Sequence, residues 1–328
     1  MIWAGVGLGV AITLVIVFII ARHYAEHMFG KGKGVKMKYG RRTPKRTPSL
    51  KFANILKAIP DHPVYEDYLS ILKNWQVLGN DTYGNCVAVA WANARRFTSA
   101  LLGKEYYPTQ AQVDDIYKTQ NPGFPAQDDG MDEQTLLEYL NKNAGPDGAK
   151  LVAFASVDVN NLDEVKAALY VFGGILLGMD VQYKNIDDFN AGKVWDYHSG
   201  DSIDGGHGVL AGGYLGQSKN DVRFVTWGAE TGMTDKFWSS LVDNADGEAW
   251  VLIWAENLGT KQFVQGIDMT ALAADYQAIT GRPLPVPAPT PTPTPTPTPV
   301  PPIPTPPAGV IAWLEKLFAW IIAILKAL

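Results

Sequence analysis

Cys86 is the only cysteine in the 328-residue chain. The stretch Gly79 to Ala94, GNDTYGNCVAVAWANA, places it where turn-forming residues give way to an apolar helix. Asn80, Asp81, Gly84 and Asn85 favour turns and caps, whereas Val87, Ala90, Trp91, Ala94 and Phe97 recur at the three-and-four spacing of one buried helical face. A thiol in the first turn feels the positive end of the helix, which favours the thiolate, the form that acts as a nucleophile. Taken alone, a cysteine among alanines and valines reads as a small buried hydrophobe. Its company argues for chemistry: an amide side chain upstream at Asn80, Trp91 downstream, and far along the chain His207 in GGHGVLAGGY, followed by VTWG. A cysteine with a histidine is the equipment of acyl transfer, in which the imidazole withdraws the thiol proton and the thiolate attacks a carbonyl.

Together these motifs resemble the papain-like cysteine peptidases. The resemblance implies an α+β fold, with a helical lobe carrying the cysteine and an antiparallel β lobe carrying the histidine. In that family a Gln six residues before the nucleophile donates to the oxyanion, and an Asn ahead of Ser-Trp-Gly orients the imidazole. Here those positions read Asn80, Cys86, His207 and Val225, with Thr226-Trp227-Gly228 behind. Asn80 is a methylene shorter than Gln, and Val225 cannot orient a ring. Thr226, Asp204 and Asp196 are the candidate substitutes, and Trp227 a candidate cleft residue. Restoring Asn at position 225 is expected to speed acylation. The chain is more similar still to a group of poorly characterised papain-like proteins of phages and actinobacteria. In these a Trp...GND.YG(D/N)C start, a GGH..VGY strand, VTWG and an E-A-(W/Y) segment recur, a similarity that covers Trp75 to Thr280.

The elements that must position these groups can be read from periodicity. Ser49 to Gln76 carries two short helical patterns around a Pro-interrupted link, a strap leading into the domain. Thr109 to Thr119 and Asp132 to Asn143 read as amphipathic helices on either side of the loop NPGFPAQDDG. Lys150 to Val157 alternates like a strand, Asn161 to Phe172 is a helix, and Gly174 to Val181 is a buried strand. Gly208 to Tyr214 and Asp221 to Trp227 form a hairpin, with His207 beginning its first arm, and Glu248 to Ala255 is a further strand. The cysteine thus belongs to a helix-rich half and the histidine to a sheet-rich half. The thiol is expected to be accessible and close to the His207 ring.

Composition assigns the remaining segments. Residues 51–282 form the globular domain. Residues 1–21 carry no charge and are long enough to cross a bilayer at ~1.5 Å per residue, an anchor rather than a cleaved signal because no basic stretch precedes them. Residues 22–50 hold nine Lys or Arg against Glu26 alone. That run reads as a disordered juxtamembrane arm and places the globular domain on the cytoplasmic side of the membrane. Since the whole chain has a net charge of -5, the domain itself is acidic, which argues against its binding nucleic acid. Residues 283–307 are a Pro-Thr linker in extended polyproline form. Residues 308–328 sort into an amphipathic hydrophobic helix that would lie on a bilayer or self-associate through its alanine face. One cysteine and five histidines without ligand spacing indicate no metal and no cofactor.

The expected function is a membrane-associated papain-like cysteine hydrolase, a peptidase or amidase using Cys86, His207 and Asn80 on a peptide or amide substrate. Its alternative is an inactive papain-like binding or structural module, phage-associated and held at a membrane by its termini.

Overall fold

The computed structural model describes residues 37–58, 63, 66–215, 222–243 and 246–285. The expected anchor, the first part of the basic arm, the Pro-Thr linker beyond Pro285 and the C-terminal amphipathic helix lie outside these residues. Among the described residues no helix is long and apolar enough to cross a membrane.

An eight-stranded sheet forms the centre. Its strands are β1 (Leu50–Lys51), β2 (Glu66–Asp67), β3 (Leu151–Val157), β4 (Ile175–Gln182), β5 (Ile203–Tyr214), β6 (Val222–Thr226), β7 (Ala229–Gly232) and β8 (Glu248–Trp254). They lie in the order β1-β3-β8-β4-β5-β6-β7, with β2 added to β5. All neighbours pair antiparallel except β1 with β3. Four helices matter to the site: α1 (Cys86–Leu101), α2 (Gln110–Lys118), α3 (Glu133–Lys142) and α4 (Leu162–Phe172). Asp132 caps α3 by accepting from Thr135 N at 2.7 Å, and Asn161 caps α4 in the same way from Glu164 N.

Successive strand residues point to opposite faces, and the core divides accordingly. Leu176, Leu210, Val225 and Leu252 join the cluster around α1, α2 and α3. Their neighbours Leu177, Val209, Phe224 and Val251 join the cluster around α4. This pleat also decides which side chains can reach the site.

Helix α1 differs from the amphipathic reading, for it is buried on every side from Cys86 to Ser99. A helix threaded through a core must bring partners for its polar residues. Asn93 accepts from the Tyr107 hydroxyl at 3.0 Å. Arg95 pairs with Asp147 at 2.7 Å and Glu256 at 3.1 Å, with its guanidinium 4.3 Å from the Trp254 ring.

Three further expectations are corrected. The helical pattern at Tyr65 to Leu72 is a single 3-10 turn, Leu69–Ile71, because Tyr68 N bonds the Gly212 carbonyl at 3.1 Å and extends the edge of β5 instead. His207 lies inside β5 rather than at its start, since the strand begins at Ile203. Residues 37–50 do not behave as a free basic arm: their backbone bonds both to the loop before α3 and to β5. Unforeseen helices at Lys261–Gly266 and Met269–Thr280 close the domain, the latter tied to α3 by the Tyr276 hydroxyl donating to Asn141 Oδ1 at 3.0 Å.

The Arg95 pair generates a stability prediction. The Asp147 side chain is 3% exposed, so Arg95→Ala strands a buried carboxylate and should cost about 3–5 kcal/mol. Urea titration should show the loss as a lower midpoint at unchanged slope, with Asp147→Asn in the same chain recovering part of it.

Candidate active site

The loop before α1 is tied down along its length. Gly79, at φ +79°, turns the chain so that its carbonyl accepts from Thr82 N and Tyr83 N. The Asn85 amide donates to the Leu78 carbonyl at 2.9 Å, and Gly84 N donates to Asp128 Oδ1 at 2.8 Å. Cys86 therefore enters the first turn of α1 in a fixed orientation. Its Sγ accepts from Gly208 N at 3.5 Å, on the strand that carries His207. The two halves of the domain thus bring the thiol against the residue next to the imidazole in the chain.

His207 Nε2 lies 2.7 Å from Thr226 Oγ1. The pleat explains why Thr226 and not Val225 meets the ring: Val225 pairs in register with Leu210 and packs toward α1, so the next residue faces the other way. Asn in place of Val225 would bury an amide in that apolar cluster instead of facing the ring, contrary to the expectation that Val225→Asn speeds acylation. Asp196 is engaged elsewhere, accepting from Thr234 Oγ1 at 2.6 Å and Tyr197 N at 2.9 Å. Asp204 interacts with Tyr183 rather than with the ring. Trp227 lies over the imidazole, with centroids 4.8 Å apart and planes 30° from parallel. Its left-handed backbone, φ +45°, followed by Gly228 at +78°, makes the tight β6–β7 turn. His198, in the loop after Trp195, is half-buried with Nε2 2.7 Å from Asp188 Oδ2, and it pairs there rather than with His207 or Cys86.

Sequence reasoning missed what fills the cleft. Residues 38–42 run between the two halves as a connecting segment, bridged at Arg41 to Met131 and to Gly206. Gly40 N and Arg41 N donate to the Gly206 carbonyl at 3.2 and 2.9 Å on one wall. On the other, Met131 N donates to the Gly40 carbonyl at 2.7 Å and Arg42 N to the Met131 carbonyl at 2.8 Å. The Lys38 carbonyl accepts from Asn80 Nδ2 at 3.2 Å and from Trp227 Nε1 at 3.4 Å. The Tyr39 ring meets His207 edge-on at 5.5 Å. Gly40 passes so close to Gly84 that a Cβ there would collide with the Gly84 carbonyl. Glycine at that position is a sequence signal for the crossing, visible only once the two segments are known to touch.

Under this segment Cys86 and His207 are each 1% exposed, so the thiol is closed off rather than accessible. Burial pushes the Cys86 thiol up to about 11, and the Glu133 carboxyl adds to the shift against the opposing N–H groups of Gly208 and Gly40. Burial, with the Arg41 charge nearby, lowers His207 to about 3. Both groups are therefore neutral at pH 7 in this closed arrangement, and the thiol is not nucleophilic. His207 Nδ1 is buried without a partner. That nitrogen is the one left to take a proton, because Thr226 holds Nε2.

The arm is bound but not set up for attack. The N–H of Gly40 faces the thiol, while Asn80 grips the carbonyl of Lys38. Acyl transfer requires one peptide unit to present its carbon to the nucleophile and its oxygen to the oxyanion donor together. Here nucleophile and donor hold different units.

No protein-family model matches the sequence, and no curated protein matches it. Solved structures do. Xylellain, a cysteine protease from Xylella fastidiosa, superposes with a TM-score of 0.52 at 18% identity, covering 66% of this chain and 96% of its own. Procathepsin B S9 from Trypanosoma congolense gives 0.47 at 12%, covering 69% and 88%. Digestive procathepsin L 3 of Tenebrio molitor larval midgut gives 0.45 at 14%, covering 72% and 88%. The fold of this chain is that of the papain-like cysteine proteases.

The closed geometry makes thiol reactivity measurable as a readout of the arm. The raised Cys86 value means that the thiolate fraction is negligible at neutral pH and grows only as pH climbs toward about 11. Iodoacetamide should label the full chain slowly up to that range. Gly40→Val, which cannot pass Gly84, should raise the rate at pH 7.5 by about tenfold or more. Equal rates in both chains across pH would show that the arm does not control the thiol.

Proposed function

We propose that the chain is a cysteine hydrolase, a peptidase or amidase, kept latent by residues 38–42. The observation that supports this reading most is the lining of one cleft: a thiol at a helix start, an imidazole oriented through Nε2, and an amide donor, all placed around a peptide backbone. Once the arm leaves, water re-enters and the cost of charge on both groups falls. His207 Nδ1 takes the Cys86 proton, the thiolate adds to a carbonyl carbon, and Asn80 Nδ2 with the Cys86 backbone N–H receives the oxyanion. The imidazolium returns its proton to the leaving amine. Water then cleaves the thioester with His207 as base. A hydroxyl orients an imidazole but cannot stabilise its charge as an anionic partner would, so turnover should be modest. A tether at a bilayer through residues 1–21 belongs to the same reading and rests on sequence alone. The rival reading, an inactive module, draws on the same weak orienter.

The test uses the full chain carrying Gly40→Val and a mixed peptide substrate pool, with product amines counted by fluorescamine. Hydrolysis should appear in this variant, vanish with Cys86→Ala or His207→Ala, and fall by about ten- to a hundredfold with Thr226→Val. A Gly40→Val chain whose thiol alkylates readily but which releases no amine from any peptide would establish the inactive module instead.

A further inference from the structure

The Arg41 side chain leaves the arm and enters a pocket in the cleft wall. Its Nε donates to Glu248 Oε1 at 3.0 Å, its Nη1 lies 3.9 Å from Asp180 Oδ1, and its Nη2 donates to the Asp246 carbonyl. The Arg41 side chain is 1% exposed. Gly178 forms the floor, and any side chain there would occupy the position of the Arg41 Nε and Cδ. Beside it stands Glu133, fully buried, with both carboxylate oxygens unpartnered. Burial and the neighbouring Glu248 push the Glu133 carboxyl well above the usual carboxylate range, while Arg41 opposes the shift. The pocket adjoins the chemistry, since Glu133 acts on Cys86 and Arg41 on His207.

Glu248 and Glu133 are raised by burial and lowered by Arg41, so a cation in this space is what favours their carboxylate forms. With Arg41 withdrawn they take up protons instead, and a cation that enters restores the charge that Arg41 now meets. The arm binds through backbone bonds to Met131 and Gly206. Any extended peptide laid along the same two edges presents a side chain to the same opening.

We propose that this pocket is the specificity site of the cleft and that it selects peptide or amide substrates bearing a guanidinium side chain, which Arg41 occupies in cis in the latent chain. Arginine is favoured over lysine because the Nε and Nη groups reach Glu248 and the Asp246 carbonyl together, a geometry that an ammonium does not match. The word substrate rests on the hydrolase reading; recognition of the guanidinium does not.

The experiment separates the two. In full-length Arg41→Ala the arm loses its anchor, and Cys86 alkylation at pH 7.5 should speed up by about tenfold or more. Millimolar propylguanidinium should bind the vacated pocket of that variant and raise its melting temperature, whereas propylurea, its neutral isostere, should not. Adding Glu248→Gln should remove the guanidinium response. Fluorogenic peptides scanned through Arg, Lys, citrulline and Leu should then reveal one position where Arg exceeds citrulline by about tenfold or more. Stabilisation by guanidinium without hydrolysis of any peptide would retain the pocket and overturn the hydrolase. Hydrolysis with no preference for Arg, or equal stabilisation by propylurea, would overturn the pocket.

Discussion

A guanidinium carried into a wall with almost no solvent must find its counter-charges there, and the closed form of this protein depends on that requirement being met at Arg41. Glu248 comes from β8, Asp180 from β4, and Glu133 from the first turn of α3. The pocket is therefore assembled from the sheet and from the helical half together. The segment that delivers Arg41 is stitched to Met131 on one wall and Gly206 on the other. One short segment thereby pins both halves across the cleft in which the thiol and imidazole lie.

That closure sets the protonation of both groups. A thiolate and an imidazolium stabilise each other only where water or fixed dipoles carry the rest of the solvation. Sealed beneath Tyr39 and Gly40, both groups revert to neutral forms, with Cys86 shifted up and His207 shifted down. Closure thus acts on the two groups electrostatically as well as sterically. The helix-start position that should favour a thiolate is outweighed by burial, which is the largest influence on Cys86. The same position would regain its effect in an open cleft.

The imidazole is held by means that differ from the family pattern the motifs suggest. Thr226 supplies one short hydrogen bond, and aromatic rings on several sides do the rest: Trp227 against one face, Tyr39 at an edge and Trp195 further back. A ring boxed in this way loses little orientation when its polar partner is only a hydroxyl. The Trp227 backbone, in the left-handed region, is the local cost of bringing that indole over the histidine.

Local pattern in the sequence was enough to place Cys86 at the start of α1, to mark the strands that carry His207 and Thr226, and to separate the helical from the sheet halves. Each is encoded by neighbours within a few residues, in turn formers, helical spacing or alternation. The identity of the orienter was not, because the choice between Val225 and Thr226 depends on which face of β6 meets β5, a matter of pleat and register. The all-round burial of α1 was hidden as well, since its polar residues look like an exposed face until Asp147, Glu256 and Tyr107 arrive from elsewhere. Arg41 is the clearest case. In sequence it is one cation in a basic run, and composition assigns it to solvent or lipid; its carboxylate partner lies 207 residues away on β8. Charge complementarity over that distance exists only after the chain has folded, so tertiary structure alone decided that this arginine closes the site.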